Sequence, residues 1–188
     1  MVMATANVQT LLPSHDEFKS AQVSGALLTG KVALLEIQFA NRGIDWIGLQ
    51  EGRARDDTVR SGCFYEMYIS KGTEIGTLGV QVWVKKSLNF RPQCVIRKSP
   101  RLMCVVGKIG SFINSFIFVS AHAPTSVACP TDRDEFWKAV DSLQAWIDVQ
   151  FPGAFVSLAI DGNARLGEQS SPGIGGTGKN MIMKMGST

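Results

Sequence analysis

From Phe64 to Val119 apolar and polar positions alternate with a period of two. Five segments rich in β-branched and aromatic residues stand out: FYEMYIS, LGVQVWVK, QCVIRK, LMCVVGKI and SFIFVSAH. This pattern predicts consecutive antiparallel strands joined by turns of Gly, Pro, Ser and Asn. On either side the period becomes helical. Thr29 is placed to cap a helix that carries Val32, Leu35 and Phe39 on one face and stops at Asn41-Arg42-Gly43, where Gly43 supplies a left-handed end. Asp132, with Glu135 three residues on, predicts the cap of a second helix. Its face is Phe136, Val140, Leu143 and Ile147, and Phe151-Pro152-Gly153 ends it. Shorter runs, Met3 to Thr10, Asp45 to Gln50 and Phe155 to Asp161, predict further strands. Pro13 to Gly30 reads as loop, and Leu166 to Thr188 as a glycine-rich tail without an element.

Strand, helix, strand, a run of strands, helix, strand is the order of an α+β sandwich in which helices cover mainly antiparallel sheets. The chain has 188 residues, 45% of them hydrophobic and 19% charged, which predicts one domain with a packed core. A net charge of +3 permits a phosphate-bearing partner without demanding one. Cys63, Cys94, Cys104 and Cys129 form no C-x-x-C pair, so neither a zinc knuckle nor a redox motif is indicated. The N-terminus lacks a basic region followed by an apolar one, and the run from Phe112 to Ala123 is broken by Asn114 and Ser115. A soluble intracellular chain with no membrane partner is expected; nucleus and cytoplasm stay open.

Chemistry collects at the strand ends. Glu51 terminates an apolar strand, where a carboxylate is well placed for a hard cation, and His122 ends another. Asp161 and Asn163 stand two residues apart and so face one side, and Asn7 follows the first strand. Singly these are a solvated terminus, a hydrogen-bonded histidine, a polar turn and a loop residue. Together they are the types that phosphodiester hydrolysis requires: carboxylates for a divalent cation and for water, and donors for phosphate oxygens.

With NVQTL at Asn7, DWIGLQEGR at Glu51, GVQVWV at Gly79, FIFVSAHAPT at His122 and IDGNARLG at Asp161, the sequence resembles the endonuclease/exonuclease/phosphatase superfamily. Its spacing is most similar to endonuclease domains of non-LTR retrotransposons, and the resemblance covers most of residues 3 to 180. It implies a four-layer α/β sandwich with two packed sheets and a Mg²⁺- or Mn²⁺-dependent hydrolase, most simply an endonuclease on DNA. Carried over by motif, Glu51 is a metal ligand, Asn7 assists with metal or phosphate, Asp161 orients the attacking water and Asn163 holds the scissile phosphate. His122 stands where relatives carry tyrosine or histidine, which implies a phosphate contact or proton donation. Arg53, Arg101 and Arg165 are expected to contact the nucleic-acid backbone.

Two departures qualify the resemblance. Ile160 replaces the glycine that usually precedes the aspartate, and the family's late Asp-His pair has no counterpart, because the chain's two histidines are His15 and His122. The expectation is a single domain over 1–188 cut short before its last strands, with weakened catalysis and an unpaired sheet edge. The alternatives are a catalytically inert nucleic-acid-binding remnant and a phosphomonoesterase of the same fold. Near the end, Gly173 to Asn180 almost spells a P-loop, but Asn180 replaces the metal-binding hydroxyl and no helix pattern follows, so no nucleotide ligand is expected there.

Overall fold

The computed structural model describes residues 1–11 and 30–163. Thr29, His15, Arg165, the glycine-rich tail and the near P-loop all lie outside the described residues. The strands are β1 (Met3–Asn7), β2 (Trp46–Gln50), β3 (Thr58–Ser61), β4 (Tyr65–Ile69), β5 (Gln81–Lys85), β6 (Phe90–Ser99), β7 (Leu102–Ile109), β8 (Phe116–His122) and β9 (Phe155–Asp161). Among the described residues two α-helices, α1 (Gly30–Asn41) and α2 (Pro130–Gln150), and a single 3-10 turn, Lys86–Leu88, complete the regular structure.

The strands form two sheets, one in the order β1-β2-β5-β4-β3 and one in the order β6-β7-β8-β9. Two pairings are parallel, β1 with β2 and β8 with β9, and each is connected through a helix, as a parallel crossover requires. All the others are antiparallel. Three apolar clusters then define four layers. Ile47, Leu49 and Trp83 on one face of the first sheet pack with Phe39 of α1. Trp46, Val82 and Val84 on its other face meet Met103, Val105 and Phe118 of the second sheet. The outer face of the second sheet, through Cys104, Ile117 and Val119, takes Phe136, Leu143 and Ile147 of α2. This is the α+β sandwich with two mixed, mainly antiparallel sheets that the sequence predicts.

β2 is buried along its whole length, and its alternation explains the central packing. Trp46, Gly48 and Gln50 face the second sheet, while Ile47 and Leu49 face α1. Gly48 lets the sheets touch: a Cβ there would lie 2.3 Å from that of Ala159 and 3.2 Å from Ser120 Oγ. The stop of α1 is local. Gly43 has φ +67, its N–H reaches the carbonyl of Ala40, and Ile44 N–H reaches that of Phe39, a Schellman ending whose Ile44 and Phe39 are buried in one cluster.

Three expectations are corrected and one strand is added. The second helix starts at Pro130, with Cys129 as its N-cap, rather than at Asp132. Proline's fixed φ suits the first helical position, and Asp132 becomes an acidic group in the first turn, where the helix dipole favours it. β3, sequence TVRS, is too short and polar to declare itself and exists by pairing with β4. β5 starts at Gln81 because Leu78 and Gly79 take positive φ and turn out of the sheet. β6 runs ten residues through Pro92, tolerated because β6 is an edge strand with a register shift there. Among the described residues β1 and β9 also have one unpaired edge each. No helix among the described residues is long and apolar enough to cross a membrane.

Candidate active site

Register delivers the candidate residues to one end of the sandwich. In the first sheet Asn7 lies opposite Gln50, so Glu51 follows immediately beside it. In the second sheet His122 lies opposite Asp161. Because Gly48 brings the sheets together, the two pairs meet. Asn7 Nδ2 donates to Glu51 Oε1 at 2.9 Å and to Asp161 Oδ2 at 3.1 Å, one amide bridging carboxylates from the two sheets. His122 Nε2 lies 3.9 Å from Glu51 Oε1. Arg53 closes the cluster, its terminal nitrogen 3.1 Å from Glu51 Oε2.

Each group is held by its neighbours. Asp161 Oδ1 accepts the backbone N–H of Asn163 at 3.1 Å, and the Asn163 amide donates to the Ala123 carbonyl at 2.6 Å. Asn163 therefore ties the ends of β8 and β9 and aims Asp161, with one amide proton left for another acceptor. Arg101 donates to the carbonyls of His122 and Ala123 at 3.2 and 3.5 Å, while its own carbonyl accepts the His122 N–H. Its half-buried guanidinium clamps the end of β8, a positioning use that the sequence does not signal.

The electrostatics follow from this arrangement. The Asn7 hydrogen bond, aided by Arg53 and His122 against burial, holds the Glu51 carboxyl below its ordinary pKa, so it is an anion at neutral pH. Burial, reinforced by Arg101 and opposed by Asp161 and Glu51, holds His122 below 6.5. Its side chain is almost fully buried and Nδ1 has no hydrogen-bond partner. A neutral ring carries one proton, and Nε2 is the nitrogen that faces the Glu51 carboxylate.

Backbone strain marks the same place. Of the six non-glycine residues with positive φ among the described residues, Gln9, Glu51, Arg53, Leu78 and Asn163 adjoin this cluster, leaving only Asn89 elsewhere. Such conformations cost on the order of 1–3 kcal/mol each and persist where surrounding bonds enforce them. Here those bonds are Gln9 N–H to Asn7 Oδ1, Arg53 N–H to the Leu78 carbonyl and Gly52 N–H to the Gly79 carbonyl. Gly52 has no space for a side chain, since a Cβ would lie 2.4 Å from Gln81 Nε2.

Beneath the cluster lies a polar layer that sequence reasoning missed. Thr5 donates to Gln50, whose amide reaches Ser120 Oγ at 3.4 Å, and Ser120 donates to the Leu49 carbonyl. The available signal was a polar residue at an inward position of an otherwise apolar strand. As a donor set Glu51 and Asp161 bring hard carboxylate oxygens from the two sheets, which fits a cation that takes one or two carboxylates and completes its shell with water or phosphate; the Asn7 nitrogen lies between them and its Oδ1 accepts from Gln9, so the Asn7 oxygen would join such a shell only after the amide turns. Among the described residues no group of three or more acidic, histidine or cysteine side chains is already placed to hold a metal ion.

No family model and no curated protein matches the sequence. Solved structures match in fold. Truncated TDP2 from Caenorhabditis elegans aligns with a TM-score of 0.51 and 22% identity over 74% of this chain and 57% of its own. The endonuclease domain of TRAS1, a telomere-specific non-LTR retrotransposon, gives 0.54 and 15% identity over 88% of this chain and 60% of its own. TDP2 from D. rerio, complexed with a single-strand DNA product, gives 0.51 and 14% identity over 89% and 62%. The chain thus spans less than two thirds of the length of each.

Proposed function

We propose, from the premise that this chain carries the sandwich fold of the endonuclease/exonuclease/phosphatase superfamily, that it is a nuclease-type hydrolase acting on phosphodiester bonds, with DNA as the substrate. The observation that supports this most is the Asn7 amide joining Glu51 and Asp161 across the two sheets. It makes a single reaction centre out of strand ends that would otherwise be separate polar termini.

Hydrolysis by water needs an aimed nucleophile and donors for the charge that grows on phosphate oxygens. Asp161 is held at both oxygens, by Asn163 and by Asn7, so its orientation is set before substrate arrives. In this role it accepts a proton from water while aligning the oxygen with phosphorus. His122, neutral and buried, offers its Nε2 proton to a phosphate oxygen. The remaining amide proton of Asn163 serves the same charge. Glu51 and Asn7 would hold Mg²⁺ or Mn²⁺, which when bound supplies Lewis-acid polarisation of the phosphate. Arg53 and Arg101 border the cluster and, with Arg165, would contact flanking phosphates; Arg53 then shares its charge between Glu51 and the substrate.

The test is nicking of supercoiled plasmid by the purified chain with Mg²⁺, abolished by EDTA and by Glu51→Gln. Absence of nicking at high protein concentration would overturn the catalytic reading. One observation favours a second reading, nucleic-acid binding without turnover: among the described residues His122 is the sole histidine, and burial keeps it neutral, so no imidazolium is at hand to protonate a leaving group. Salt-sensitive DNA binding with no nicking would establish that reading instead.

A further inference from the structure

Two separate connections hold the halves of the candidate site in place. One is the side-chain bridge through Asn7. The other is made of backbone alone and runs through Gly79, just before β5. Glu51 lies one residue beyond β2, where pairing with β5 has ended, so its place relative to His122 depends on what holds the loop that follows.

The Gly79 carbonyl accepts the Gly52 N–H at 2.9 Å, which fixes the residue after Glu51. The Gly79 N–H donates at 3.0 Å to the carbonyl of Pro100, in the turn between β6 and β7 of the other sheet. Arg101, next in that turn, accepts the His122 N–H at 2.9 Å. Since His122 Nε2 stands 3.9 Å from Glu51 Oε1, the path from Glu51 through Gly52, Gly79, Pro100 and Arg101 to His122 closes on itself. One glycine thus bonds to the loop of the first sheet and to the turn of the second.

A side chain would disturb this junction. Gly79 has φ +89, and a Cβ there would lie 3.1 Å from the Arg53 nitrogen, 3.3 Å from that of Gly72 and 3.3 Å from the Ser70 carbonyl oxygen. All three are backbone atoms, which cannot swing aside as a side-chain end does, so a methyl group is accommodated by moving the Gly52–Arg53 segment. Gly76 in the same loop is the contrast: its φ is +74, yet a Cβ there meets nothing within 4 Å. Strain from positive φ is common to both positions, and crowding against the site loop is specific to Gly79. The motif GVQVWV thereby divides its work, its later residues building β5 and its glycine tying the loop to both halves of the site.

We propose, resting on the hydrolytic reading, that Gly79 is a positioning residue for the reaction: its two backbone hydrogen bonds, one to each half of the site, set the gap between Glu51 and His122.

The experiment compares Gly79→Ala with Gly76→Ala by plasmid nicking, by Tm and by backbone-amide NMR shifts in EDTA. Gly79→Ala should shift the amides of 51–53, 101 and 122, on both sheets, and lower nicking about tenfold to a hundredfold, as expected for a misplaced reacting group. Gly76→Ala should nick like the unaltered chain, with shifts confined to its own turn. In the unaltered chain the amides of Gly52, Gly79 and His122 should exchange with deuterium as one unit, more slowly than that of Gly76; this measurement decides the matter if Gly79→Ala folds poorly. Shifts confined to 70–80, equal loss of nicking in both variants, or a Gly79 amide that exchanges with its loop while His122 stays protected would overturn the proposal. If the unaltered chain does not nick and Gly79→Ala still moves the amides of 51–53 and 122, the link between the halves stands and the hydrolytic reading is what fails.

Discussion

The two ends of the sandwich handle charge in opposite ways. At the Glu51 end two carboxylates face two arginines and a neutral histidine, every carboxylate oxygen has a donor, and the backbone is bent into positive φ to achieve it. At the Lys85 end Lys86 pairs with Glu66 at 3.7 Å, and Lys86 and Arg91 donate to the main-chain carbonyls of Gly62 and Gly110. A balanced, mutually bonded cluster is organised before any ligand arrives, which suits chemistry. An end that rests on one ion pair and main-chain carbonyls is held by its own backbone instead, which suits structure.

The largest expected effect breaks the first end alone. Glu51→Gln keeps the size and the Asn7 contact but removes the charge, and plasmid nicking should fall by on the order of 10²–10³; Asp161→Asn should cost a comparable or larger factor. Circular dichroism should show either variant folded. Next is the packing that unites the end. Gly48→Val drives methyl groups into Ala159 and Ser120 from a fully buried strand, and a loss of about 3 kcal/mol is expected from the urea midpoint. By contrast Gly43→Ala meets no atom within 4 Å and carries only the strain of φ +67, about 1 kcal/mol by the same measurement.

Three smaller effects concern protons. His122 has a folded pKa below 6.5, so the unfolded chain binds more protons just under that pH. Stability contributed by the neutral ring is complete above 6.5 and declines as pH falls from there towards the folded value; in His122→Asn that slope should flatten in pH-dependent melts. Glu51 acts lower, its contribution being full above 4.5 and lost as pH falls through its depressed folded value. Arg101→Met removes a cation that holds His122 down, and the ring's titration followed by NMR should move upward. A downward movement or none would show that the Arg101 clamp acts by geometry alone.

Much of the fold is legible in the chain because its signals are local. Val32, Leu35 and Phe39 share a helical face by spacing, Gly43 ends that helix by its own conformational freedom, and the alternation in YEMYI and QVWVK makes strands. Where the local signal is weak or ambiguous, sequence and structure differ. TVRS became a strand only because β4 lay beside it, and Pro130 displaced Asp132 from the cap because the chain's approach set the first turn. At the candidate site residue types and strand ends are readable, while the role of Arg101 is not, because its guanidinium rests on carbonyls at the end of β8 that are 21 and 22 positions away in the chain.

By itself, then, the sequence determined the α+β class, most of the elements and the residue types at each strand end, since these depend on period, propensity and turn chemistry within a few positions. Only the tertiary structure decided that β1 runs parallel to β2 and β8 to β9, and that the Asn7 amide reaches Asp161 across 154 positions of chain. That meeting depends on two sheets closing over Gly48, and close packing between distant segments has no local signature.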